Sequence, residues 1–228
     1  MSTVAANLAA VRERIAQACQ KAGRNPQEVK ILAVTKTHPA QVVEEAIAAG
    51  VDAIGENRVQ EAAEKRPAVR LPAFWHLVGP LQRNKAKKAI ELFDLIATVD
   101  RVPLAETLEK LLANRAKVMP VMVEVNVGRE PQKSGVLEEE LPPLVSFLLS
   151  HCPHLQLLGL LTVPPYHPDP ERSRPHFRRL REVARQLEAA FQLPPLQLSM
   201  GMSEDFWVAV EEGATWVRLG RALFGERR

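Results

Sequence analysis

Cysteine, tyrosine, net charge and long apolar runs are all scarce in this chain. Its 228 residues hold two cysteines and one tyrosine. Cys19 and Cys152 lie far apart in no CxxC spacing, which argues against a disulfide framework or a zinc finger and suits two reduced thiols. Thirty Lys+Arg against 27 Asp+Glu leave a formal charge of +3. That is too little for whole-molecule attraction to polyanions, so a nucleic-acid role would need a local patch, and none is expected. No apolar run approaches the roughly 18 residues of a membrane span. Arg12, Glu13 and Arg14 also interrupt the N-terminal segment before a signal core can form. A cytoplasmic protein without a membrane role is the expectation. Hydrophobic residues are plentiful at 46%, which excludes disorder and supplies a sizeable core.

The apolar residues come in a repeating grammar. KILAVTK is a short β-branched run without alternation, as in a strand buried on both faces. Pro39 then opens AQVVEEAIAAG, with Val42, Val43, Ala46 and Ile47 at helical spacing and Gly50 as the stop. Strand and helix alternate likewise from VDAIGEN through FWHLVGP, LIATVD, VMPVMVEVNV, LQLLGLLTV, LQLSMG and WVRLG. Eight units of about 25 residues behind one leading helix predict an α/β chain: a single (β/α)8 barrel over residues 1–228. A doubly wound open sheet is the competing architecture. Pro-rich 163–175 falls between strand and helix of the sixth unit and reads as a long loop on the functional face.

Sites in such barrels sit at the C-terminal ends of the strands. The polar residues there are Lys36, Glu56, Asn57, His76, Asp100, Asn126, Thr162, Ser199 and Arg218. Lys36 leaves an apolar strand where desolvation favours a neutral, nucleophilic amine. The alternative is a lysine snorkelling to water. Ser199, Gly201 and Ser203 after strand seven, with Gly220 between strand eight and a helix start, suit a phosphate cradle of backbone N–H groups. A Schiff-base lysine facing a phosphate cradle across one mouth describes a pyridoxal 5′-phosphate pocket. Arg218 can face the pyridine nitrogen and keep it unprotonated, which disfavours carbanion chemistry.

The segments AVTKTHP, GENRVQE, WHLVGPLQRNK, VNVGREPQKSG, GLLTVPP and LSMGMSEDFWVAVEEGATWVRLGRALFGER closely resemble the pyridoxal phosphate homeostasis proteins. Their single barrel is similar to the N-terminal domain of alanine racemase, a fold-type III barrel. The resemblance implies cofactor binding by Lys36, Asn57, Ser199, Met200, Arg218, Gly220 and Arg221, with Lys36 carrying the cofactor as an aldimine. Arg221 stands where the family usually has a small hydroxyl residue. The implied role is vitamin B6 homeostasis and amino-acid balance without an established reaction, in a monomer, with apo-enzymes that use the cofactor as recipients. A racemase would need a second domain carrying a tyrosine, and 228 residues leave no room for it. A weak racemase, transaminase or decarboxylase is the alternative, and a cofactor-sensing interaction module is another.

Other features have plainer readings. The arginines of RSRPHFRRLREVAR alternate with Phe177, Leu180, Val183, Ala184 and Leu187 at helical spacing, so they form the wet face of an outer helix. His151 and His154 of HCPH lack the further ligands of a metal site. His76 either lines the pocket or makes a structural hydrogen bond. Lys133 in the QKSG loop is a candidate second amine for handing the cofactor on.

Overall fold

Apolar runs too short for helices become strands, and a strand enclosed on both sides needs hydrophobic residues at consecutive positions. The computed structural model describes residues 3–225. Its strands are β1 Lys30–Val34, β2 Ala53–Glu56, β3 Trp75–Leu77, β4 Leu95–Val99, β5 Met119–Glu124, β6 Leu155–Leu161, β7 Gln197–Ser199 and β8 Trp216–Leu219. They run parallel in chain order and close into a barrel, with β8 paired to β1 from Lys30↔Trp216 to Ala33↔Leu219. The open sheet is thereby excluded.

Helices follow each strand: α2 Ala40–Ala49, α3 Val59–Lys65, α4 Ala86–Leu92, α5 Val102–Ala113, α6 Leu141–His151, α7 Arg174–Phe191, α8 Phe206–Glu211 and α9 Arg221–Phe224. The helical pattern of the sixth unit, read from sequence alone, runs from Glu171 to about Phe191. Instead the Asp169 side chain accepts the Glu171 N–H at 3.0 Å and shapes a 3-10 turn over Pro170–Ser173, so the α-helix begins at Arg174. Glu226 and Arg227, which end the RALFGER pattern, and Arg228 lie outside the described residues.

Strand parity splits the core in two. Ile31 and Ala33 face outward into the layer between sheet and helices. Leu32 faces inward with Ala53, Leu95, Ala97, Met122, Leu161 and Trp216. Small and large side chains interdigitate there, and Gly159 sets the closest approach. A Cβ on it would lie 2.0 Å from the Gln197 carbonyl oxygen, so any side chain would push β6 off β7.

The leading helix α1, Val4–Ala22, buries Leu8, Val11, Ile15, Ala18 and Cys19 along one stripe. Each fully buried aliphatic of this kind contributes about 1.5–3 kcal/mol. Gly23 ends the helix at φ 65° with the left-handed cap that lacks a Cβ penalty. Beyond the stop, Arg24 donates to the Val210 and Ala214 carbonyls at 2.6 and 3.0 Å. Asn7 donates to the Leu223 carbonyl at 2.8 Å. The first helix is thus fastened to the last two strand–helix units. No helix among the described residues is long and apolar enough to cross a membrane.

Candidate functional site at the barrel mouth

Lys36 lies on the turn between β1 and α2, one residue past buried Thr35. Thr37 follows at φ 68°, a left-handed conformation that a β-branched residue adopts only when the surroundings impose it. The restraint comes from below. Lys65 on α3 is 7% exposed and donates to the Thr35 carbonyl at 2.7 Å, to Glu56 Oε1 at 2.6 Å and to Glu61 Oε1 at 2.9 Å. Thr35 Oγ1 donates to Glu56 Oε1 at 2.6 Å, and the Thr37 N–H donates to Glu61 Oε1. One buried ammonium therefore grips the chain on both sides of Lys36. Burial pushes the Glu56 carboxyl up, against the pull of its hydrogen bonds to Lys65 and Thr35. Glu61 is also desolvated, but Lys65 and the Thr37 N–H bring it below its ordinary value.

Glu56 was a strand-end candidate for the mouth. It points the other way, into the layer beneath α3, because it shares strand parity with Ile54 rather than with inward Ala53.

Across the mouth, Arg218 on β8 projects into the barrel and is 5% exposed. Its guanidinium donates to the Ser199 carbonyl at 2.6 Å, to Ser199 Oγ at 3.0 Å and to the Thr162 carbonyl at 2.7 Å. Burial lowers its pKa to about 10, partly opposed by Glu124 and Asp205, so it remains a fixed cation at neutral pH. Glu124, at the end of β5, has a carboxyl pushed up to about 7, first by burial and then by Asp100, with Arg218 pulling the other way. Its Oε2 is buried without a hydrogen-bond partner among the described residues.

A cavity of about 300 Å³ opens between these elements. Lys36, Asn57, Arg218, Gly220 and Arg221 line it, together with His38, Met202, Ser203, Glu204 and three valines, and Gly225 stands at the rim. Ser199 and Met200 do not reach its wall. Ser199 is engaged by Arg218, and Met200 is fully buried with its N–H donated to the Trp216 carbonyl at 3.1 Å. Ser203, expected in the cradle with Ser199, does face the cavity, and its Oγ accepts the Ala222 N–H at 3.0 Å, joining the loop after β7 to the first turn of α9. Gly201, at φ 91°, permits that loop to fold down, since a Cβ there would lie 2.6 Å from Ala209 Cβ. Arg221 pairs with Glu204 at 2.6 Å on the rim.

Other strand-end candidates have structural work. Asn126 clasps the backbone of Glu130 through both ends of its amide. Thr162 Oγ1 donates to the Val125 carbonyl at 2.7 Å. Asp100 pairs with Arg101. Lys133 donates to the Pro164 carbonyl at 2.9 Å and pairs with Glu130 at 2.5 Å, fastening its loop to the Pro-rich one outside the cavity wall. His76 corrects the reading of FWHLV: the strand continues through Leu77, so the imidazole sits mid-strand and faces a cavity at the opposite end of the barrel. His154 of HCPH is held by Glu109, Nδ1 to Oε1, at 2.6 Å. The sequence reading chose no role for His38 or Glu204, and passed over Glu124 for Asn126 two residues on. The first charge after MPVMV was the available signal.

The sequence model for "Alanine racemase, N-terminal domain" matches residues 6–228. A protein of Aquifex aeolicus named pyridoxal phosphate homeostasis protein is 45% identical over 222 residues, 97% of each chain. One of the same name from Pseudomonas aeruginosa is 44% identical over all of this chain and 97% of its own. PipY of Synechococcus elongatus, solved with PLP bound, superposes with a TM-score of 0.82 at 37% identity, covering 98% of this chain and 100% of that one. The match extends through the β1–α2 turn and the loops after β7 and β8, and the chain belongs to the pyridoxal phosphate homeostasis protein family, within the alanine racemase N-terminal domain family.

Proposed function

We propose that this protein binds pyridoxal 5′-phosphate at the barrel mouth and takes part in cytoplasmic vitamin B6 homeostasis, holding the cofactor rather than turning over a substrate. The observation that carries the reading is the convergence of Lys36, Arg218 and the Ser203–Arg221 rim on one cavity of about 300 Å³, a size suited to a small phosphorylated ring. The donor set fits this group: an amine for an aldehyde, a fixed cation at the floor, and a hydroxyl, a guanidinium and a glycine-flanked helix start for a phosphate.

When bound, pyridoxal phosphate supplies an aldehyde that condenses with amines and a ring that withdraws electrons from them. The chain's residues account for its retention. Lys36 presents the amine from a turn fixed on both sides by the Lys65 network. Arg218 gives three of its five N–H groups to two carbonyls and Ser199 Oγ, so it can still donate a hydrogen bond but not readily a proton, and a ring nitrogen facing it stays unprotonated. Tyr166, the sole tyrosine, is 77% exposed on the loop after β6 and takes no part in the cavity wall. We further propose that the chain acts as one monomeric domain, with apo-enzymes as recipients and no nucleic-acid role. Four α7 arginines are already paired with Glu138, Glu171, Glu182, Glu211 and Glu212, which supports the last point.

An absorbance spectrum followed by borohydride reduction and peptide mapping tests the site. The expected result is an imine band and a reduced adduct on Lys36. An adduct elsewhere, or no band, overturns it. Incubation with amino acids in deuterium oxide separates holding from turnover, because sustained Cα exchange would demand an acid–base partner, with His38 the first residue to examine.

A further inference from the structure

At the opposite end of the barrel, where the strands begin, lies a second cavity of about 300 Å³. This end of such barrels is normally closed by packing. Here its inner wall is Trp216, His76, Leu95 and Leu158, and Phe74 stands over it with 67% of its surface exposed. Lys30, Asp52 and Asp94, each at the start or just before the start of a strand, carry charge of both signs around the opening.

His76 is the anomaly. It is 6% exposed, and the surface it keeps opens onto this cavity. Its ring packs against the edge of Trp216, centroid to centroid 4.8 Å. Burial, and secondarily Lys30, lowers its pKa to about 4. It is therefore neutral at pH 7, with one nitrogen to donate and the other to accept.

The remaining polar groups are partly committed in a way that leaves capacity facing the opening. Asp52 and Asp94 each use Oδ2 to accept a strand N–H, from Ile31 at 2.8 Å and Trp75 at 2.9 Å, and each retains its second oxygen, although Asp94 Oδ2 also pairs with Arg66 at 3.7 Å, which leaves Asp52 the less committed carboxylate. Gln197 Oε1 accepts the Trp216 indole N–H at 2.7 Å, which orients the indole and leaves the amide NH2 as a donor. The Lys30 ammonium lies 5.2 Å from the Trp216 ring centroid. Aromatic walls, a neutral donor–acceptor at the back, and one ammonium with two carboxylates at the rim together select a flat body carrying both an anionic and a cationic group.

We propose that this cavity is a binding site for a small zwitterion with an aromatic ring, its ring between Trp216 and Phe74 against His76, its anion at Lys30 and its cation at Asp52. The site stands independently of whatever the mouth holds.

The test follows the His76 ring resonances by NMR while four compounds are titrated: L-phenylalanine, phenylacetate, phenethylamine and L-alanine. L-phenylalanine is expected to shift the His76 signals saturably, and to bind about tenfold or more tighter than the three that lack one of its groups. The exposed substitution Lys30→Gln should weaken L-phenylalanine about tenfold and leave phenethylamine unchanged, with no risk to the core. His76→Phe should abolish the response read at Trp216, and Lys36→Ala at the far end should leave it intact. No shift at saturating L-phenylalanine, equal affinity for phenethylamine or phenylacetate, or an L-phenylalanine affinity untouched by Lys30→Gln would each overturn the proposal.

Discussion

The chain encloses charge in two unlike places. Beneath the β1–α2 turn, Lys65 and Glu56 are 7% and 0% exposed, and the ammonium is shared among two carboxylates and a backbone carbonyl. On the outer face, Glu212 is likewise buried, but its partners Arg174, Arg178 and Arg181 remain 25–53% exposed. Both are networks of opposite charge, yet the first fixes backbone geometry beside the mouth while the second anchors α7 to the segment after α8. Water reaches the arginines and screens them, so their loss is tolerated. It does not reach Lys65, whose removal strands a carboxylate in the layer between sheet and helix.

Breaking the inner network should give the largest effect. Lys65→Met leaves Glu56 without its cation, at an expected cost of about 3–5 kcal/mol, read by chemical denaturation. The β1–α2 turn should loosen with it, so pyridoxal phosphate should leave the variant faster even where it remains folded. A stable variant with unchanged release would reduce the network to ordinary packing.

Glu124 sharpens the contrast, because it is an enclosed acid with an oxygen left unpartnered. An acid whose folded pKa lies above its unfolded one is stabilising while protonated, and that support is lost as pH rises. For Glu124 the window runs from its ordinary 4.5 to about 7, worth about 3 kcal/mol at 1.36 kcal/mol per unit. Glu124→Gln should therefore gain on the parent protein by about this amount between those pH values. Parallel stability profiles would refute the assignment.

The outer network should give the smallest effects. Glu212→Gln is expected to cost about 1–2 kcal/mol, since charge-assisted hydrogen bonds are lost but the arginines can turn to water. Arg178→Ala should leave the melting temperature unchanged. An Arg178 effect matching that of Lys65 would erase the distinction between the two places.

The eight strands could be read from the sequence because each is a bare apolar run between a helix stop and a polar loop. Lys36, Asn57, Arg218, Gly220 and Arg221 were legible too, since each sits where an apolar strand or its following turn meets the mouth. Which way a strand-end side chain points was not. Glu56 and Glu124 are both acids closing an apolar strand, yet one faces outward and the other inward, and only the barrel register decides between them. His76 was misplaced because a polar residue inside a three-residue strand looks like its end. Of the two serines read into the phosphate cradle, Ser203 reaches the wall and Ser199 does not, because Arg218 turns back on Ser199, a contact 19 residues distant in sequence.

The clasp of α1 onto the last units gives synthesis a particular order. Arg24 emerges from the ribosome with its side chain destined for carbonyls 186 and 190 residues later. At 5–20 residues per second that interval lasts about 10–40 s. Over that time α1 has its apolar stripe but not its docking surface, and Lys36 has its turn but not the Arg218 side of its pocket. Nascent chains thus pass through a long stage of exposed helix and unpaired β1 edge. Cofactor can be captured only after β8 and α9 have been made, which makes ligand binding a report on a closed barrel.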